Sequence, residues 1–141
     1  MANNLSLSIN DIEVGQAVNF NIVISESDIS KYAEISKDYS AIHVSREAAI
    51  AAGFRDRVAH GGLISSYFSA IVGVYLPGDS ALLLQMENKF HHPAYPDDLL
   101  NIEGIVKFVH PELECIEILF RATSSNGKKI ATGKWLVKVR T

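Results

Sequence analysis

The chain has 141 residues, 48% of them hydrophobic and 21% charged, with a formal net charge of -3. Those values suit one globular domain spanning residues 1–141, with enough apolar mass for a real core, and they argue against intrinsic disorder. An acidic balance without a cluster of Lys and Arg gives no electrostatic case for nucleic acid or an anionic membrane surface as partner.

Residues 1–16 are polar and turn-rich, and suggest a loose arm or a short edge strand. They lack the basic start and apolar run of a secretory signal, so a cytoplasmic location is expected. Val18, Phe20, Ile22 and Ile24 then recur at the period of a half-buried strand. Ser25 to Asp28 offer helix caps, and Ile29, Tyr32 and Ala33 follow at helical spacing, which predicts a short amphipathic helix ending near Lys37.

A polar loop, 38–44, carries an acid, Asp38, and an imidazole, His43. Ser45 can cap a second short helix over 46–52, with Gly53 as its stop. An irregular charged stretch leads to the turn His60-Gly61-Gly62 and then to 63–74, whose polar groups are limited to Ser65, Ser66, Ser69 and Tyr67. A helix there has no face made for water and belongs inside the fold. At roughly 1.5 Å per residue it is too short to span a bilayer.

Beyond the breaker Leu76-Pro77-Gly78-Asp79, every apolar run is short and reads as strand: 82–90, 99–108, 116–123 and 130–139. Ser124-Ser125-Asn126-Gly127 is the clearest hairpin turn among them. The lone Cys115 lies in a strand-like run and reads as a small core residue, in keeping with a reducing compartment. Strands segregated from helices indicate an α+β architecture, a sheet curled round one buried helix. The sheet covers that helix on one side only, and the open sheet edges and open flank predict at least a homodimer.

The chemistry concentrates in residues 36–73. Glycine amides at the start of a helix meet the positive end of its dipole and suit a developing negative charge. Asp38 and His43 stand shortly upstream, which outlines a site where an acid/base pair moves protons beside an oxyanion. His91-His92 invites a metal reading, but neighbours in a strand point to opposite faces, so no metal is expected. No Gly-x-Gly-x-x-Gly or Walker pattern is present, and no cofactor is expected.

This stretch resembles the hydratase motif of the MaoC-like, R-specific enoyl-CoA hydratase family of hot-dog-fold proteins, roughly Tyr-x4-Gly-Asp-x-Asn-Pro-x-His followed by a His-Gly-Met turn. Asp38 and His43 fall at its acid and histidine positions, Ala49, Phe54 and Val58-Ala59-His60-Gly61 continue the match, and Ser66 stands where the family carries a site serine. Lys37 replaces a usual glycine, Ser40-Ala41 the usual asparagine and proline, and Gly62 a methionine. The resemblance implies a hot-dog fold with short overhanging helices and a hydro-lyase acting on an acyl thioester of coenzyme A or acyl carrier protein. It implies Asp38 and His43 as the proton-transfer pair, Gly61 as oxyanion donor and Ser66 as a brace for the pair. His60 and Gly62 would then form a substrate-binding turn. Two other readings remain at this point. A hot-dog thioesterase accounts for Gly61 but not for the paired histidine, and a non-catalytic acyl-binding or assembly subunit would suit the altered loop 37–41.

Overall fold

Alternation in the sequence becomes an antiparallel sheet whose strands appear close to the expected positions. The computed structural model describes residues 3–141. β1 (Ala17–Val23) turns Val18, Phe20 and Ile22 toward the core and leaves the residues between them exposed. The other strands are β2 (Ala81–Phe90), β3 (Leu99–His110), β4 (Cys115–Ser124) and β5 (Lys129–Val139), in the sheet order β1-β3-β4-β5-β2. The expected hairpin joins β4 to β5, with Gly127 supplying the positive φ of 82° that its turn needs.

Helix α1 (Glu26–Ser36) begins at a reciprocal cap. The Ser25 hydroxyl accepts from the Asp28 amide at 2.9 Å, and the Asp28 carboxylate accepts from the Ser25 amide at 3.3 Å. Residues expected as loop contain a four-residue helix, α2 (Ala41–Val44). It is too short to leave a periodic pattern. α3 (Arg46–Ala51) follows directly, with Ser45 capping it through the Ala48 amide as expected.

The central helix α4 (Gly61–Ala70) starts two residues earlier than the apolar run suggests, and continues as a wider turn through Ile71–Tyr75. Phe68 stacks on Phe120 at 4.9 Å and meets Trp135 edge-on at 6.1 Å, which fixes α4 against β4 and β5. Gly104 of β3 makes room for this packing, since a Cβ there would come within 2.9 Å of Phe120 and 3.1 Å of Ile71. Trp135 keeps its indole N–H satisfied by donating to Asn88 at 2.8 Å.

The sheet covers one side of α4 and leaves a flank open, as expected: Ser66 and Ser69, with Gly73 beyond them, share an exposed face, while Leu63, Ile64 and Phe68 are buried. Of the two readings of the chain start, the loose arm is corrected from Leu5 on, and an isolated antiparallel bridge joins Ser6 to Gly78. Leu5 and Leu7 donate to the carbonyls of Val74 and Pro77 at 2.9 and 3.0 Å, so the arm closes the end of the central helix. Met1 and Ala2 lie outside the described residues. No described helix is long and apolar enough to cross a membrane.

Candidate active site

The end of α1 sets the position of Asp38. Lys37 takes the left-handed conformation, φ 64°, and turns the chain out of the helix. Ser36 then ties the turn, donating to Tyr32 O at 2.7 Å and accepting from the Asp38 amide at 3.2 Å. Asp38 Oδ1 accepts from the Ser40 amide at 3.1 Å, and this Asx-type turn leads into α2. One carboxylate oxygen thus shapes the loop. The other, Oδ2, lies 3.9 Å from His43 Nε2.

His43 is held from its other ring nitrogen. Nδ1 lies 2.6 Å from the Val58 carbonyl oxygen, which can only accept, so Nδ1 carries a proton and Nε2 is the ring nitrogen turned toward Asp38, with a lone pair to offer in the neutral form of the ring. A separation of 3.9 Å is too long for a direct hydrogen bond and suits two groups that share one water. His43 is nearly covered, its side chain 13% exposed against 51% for Asp38.

His60 touches both members of the pair. It is 2% exposed, its Nε2–H donates to the Asp38 carbonyl at 3.0 Å, and its ring stacks on His43 with centroids 3.8 Å apart. The sequence singled out His60 for the turn. Its contact with the pair comes only from folding the loop back over α4. Arg57, which the sequence reading passed over, reaches the carbonyls of His43 and Glu26 at 3.4 Å each and so links α2 to the start of α1.

Gly61 opens α4, where the first amides have no acceptor within the helix. Together with His43, Ile64, Phe90, Ala94 and Ile130 it lines a hollow of about 410 Å³ with mainly apolar walls. A Cβ on Gly61 would come within 3.0 Å of the Phe90 ring, so the glycine keeps this wall open. Gly62 faces the other way, against Tyr32. Ser66 is not joined to the pair: its hydroxyl donates to Leu63 O at 2.6 Å, and it lines a separate hollow beside Tyr32 and Tyr67. The acceptor that orients His43 is a backbone carbonyl, and no side-chain pattern advertises that in the sequence.

Residues 10–110 match the model of the MaoC-like domain family. The chain belongs to the MaoC-like family. An (R)-specific enoyl-CoA hydratase of Rhodospirillum rubrum is 34% identical to this MaoC-like chain over 130 residues, covering 92% of it and 89% of the relative. A 3-hydroxybutyryl-CoA dehydratase of Methylorubrum extorquens is 32% identical, covering 92% and 82%. Among solved structures, an R-hydratase from Pseudomonas aeruginosa superposes with a TM-score of 0.89 at 26% identity, covering 99% of this chain and 88% of its own. The fold is the hot-dog arrangement that the motif implied.

One ligand-type atom each from Asp38, His43 and His60 of this MaoC-like domain lies within 4.8 Å of the others, a spacing that a metal site would also show. The stacking argues against such a use. The two imidazoles lie in planes only 23° apart, so their in-plane lone pairs run alongside each other and cannot both meet one ion at about 2.0–2.1 Å. His91 and His92 are likewise engaged separately, with Thr132 Oγ1 at 3.0 Å and the Lys129 carbonyl at 2.8 Å.

Proposed function

We propose that this MaoC-like protein is a hydro-lyase that adds water to, or removes it from, a 2-enoyl thioester in the cytoplasm, giving the R-hydroxy product. The observation that carries the reading is the 3.9 Å gap between Asp38 Oδ2 and His43 Nε2, with the ring pinned by the Val58 carbonyl and the apolar hollow beside it. A water held in that gap is oriented by Asp38 and loses a proton to His43 Nε2 as its oxygen bonds the β-carbon. Electron density moves onto the thioester oxygen, where the Gly61 N–H at the start of α4 supplies a donor. The pair then returns the proton to the α-carbon, so that OH and H of one water are added from one face.

The names of the relatives agree with this chemistry, since they are hydratases and dehydratases of acyl thioesters. The protein works as a homodimer in this proposal. β2 is an edge strand whose Leu82, Leu84, Met86 and Phe90 are about half exposed, and a second copy would cover them.

Incubation with crotonyl-CoA tests the activity. The expected result is loss of the conjugated thioester absorbance with formation of (R)-3-hydroxybutyryl-CoA. Release of free thiol with the double bond intact would show a thioesterase instead.

A further inference from the structure

Next to the reaction hollow lies a second, smaller recess of about 140 Å³, which shares Pro93 and Ile130 with it but has mainly polar walls. Its character comes from Arg55, Tyr95, Asp98, Asn126 and Lys128. The Arg55 guanidinium carbon lies over the Tyr95 ring, 4.1 Å from its centroid, and one of its nitrogens pairs with Asp98. Asp98 is held in turn by accepting from the Tyr95 amide at 3.0 Å. These two contacts orient Arg55, whose side chain is otherwise exposed, and leave further N–H donors over. Lys128 has no carboxylate partner among the described residues.

We infer that this recess holds a phosphate of the phosphopantetheine carrier whose acyl end occupies the neighbouring hollow. Asp98 cancels one of the two positive charges, so the net charge comes from Lys128, while Arg55 contributes directed donors. In a chain of net charge -3, this places a cationic spot where the carrier of a thioester would leave the apolar hollow. A pantetheine arm lies between thioester and phosphate, and the step from apolar to polar walls across Pro93 and Ile130 follows the same change along such a carrier. The phosphate can belong to free coenzyme A or to the prosthetic group of an acyl carrier protein.

The inference rests on the thioester reading, and the test separates the two. Crotonyl-CoA, crotonyl-acyl carrier protein and the crotonyl thioester of N-acetylcysteamine, which has no phosphate, are compared in wild type, Arg55→Gln and Lys128→Ala. Each substitution is expected to lower the ratio of kcat/KM for a phosphate-bearing substrate to that for the truncated one by about tenfold, at 0.15 M salt. A fall with crotonyl-CoA alone assigns the phosphate to coenzyme A, and a fall with both assigns it to the shared phosphopantetheine. Calorimetric titration of free coenzyme A reads the same site without turnover. If the variants bind it as tightly as wild type and the ratios stay level, the inference is overturned while the hydratase reading stands. If binding weakens about tenfold but no enoyl thioester is hydrated by wild type, the recess is supported and the hydratase reading fails.

Discussion

The Tyr32 hydroxyl occupies the space beside Gly62: a Cβ built on that glycine would fall 1.8 Å from the oxygen and 2.7 Å from Cζ. Tyr32 also leans on His60, with ring centroids 4.9 Å apart. The tyrosine therefore packs α1 against the turn that carries His60 and Gly61. Any side chain at position 62 has to share this space with Tyr32.

Gly62→Ala should accordingly destabilise the fold by about 1–3 kcal/mol, the usual cost of forcing extra atoms into a filled site. Pairing it with Tyr32→Leu should recover part of that loss, since the two side chains then compete less for the same volume. Denaturant melts of the two single variants and the double variant measure the coupling. Strict additivity would mean that the contact does not set the turn.

Replacing either member of the pair tests the assigned roles. Asp38→Asn keeps the shape but weakens the grip on a water, and His43→Ala removes the base; each should lower kcat by about 100-fold or more. Circular dichroism should be unchanged for Asp38→Asn, because an amide oxygen can still accept from the Ser40 amide. If both variants turn over crotonyl-CoA like wild type, the proton-transfer assignment is wrong.

Much of this arrangement could be read from residue order. The alternation in β1 and the capping serines Ser25 and Ser45 located their elements closely. So did the Asn126-Gly127 turn. What escaped was whatever depends on tertiary partners. α2 is only four residues long, and the contact of His43 with Val58 O helps hold it in place. The exposure of β2 reflects which strand ends up at an edge, and its run of leucines gives no hint of that. Ser66 matched by spacing, yet a serine in a helix can satisfy a carbonyl in the preceding turn, and here it does.

Tyr67 gives a pH test on the far side of α4. Its hydroxyl is buried with no hydrogen-bond partner among the described residues, and burial, followed by the negative charge of Asp28, pushes its pKa up to about 12. The folded state then keeps a proton that the unfolded chain has already lost. This contribution to stability is complete below about pH 10 and disappears as the pH rises toward 12. Tyr67→Phe should be neutral or slightly stabilising at pH 7 and should flatten the fall in stability between pH 10 and 12. Urea melts across that range decide it, and an unchanged slope would exclude Tyr67 as the titrating group.

The edge strand makes a prediction about assembly. Met86 and Phe90 are 49% and 53% exposed on this edge, beside exposed Leu82 and Leu84, so Met86→Glu should convert a dimer to monomer in sedimentation at micromolar concentration. A variant that still sediments as a dimer would place the interface elsewhere.

Lys37 combines a cost and a saving in one residue. A side chain in the left-handed region costs roughly 1–2 kcal/mol, whereas glycine there gives up about 0.5–1 kcal/mol through the greater freedom of the unfolded chain, so the strain outweighs the entropy. The Lys37 side chain is exposed and makes no hydrogen bond or ion pair among the described residues, so nothing else is lost with it. Lys37→Gly should therefore raise stability by roughly 0.5–1 kcal/mol, a rise of about 2 °C in melting temperature for a domain of this size. The bonds that place Asp38, from Ser36 and to Ser40, are made by the neighbouring residues and survive the change, so kcat should stay level. A lower melting temperature would show that the lysine side chain contributes more than its backbone strain removes.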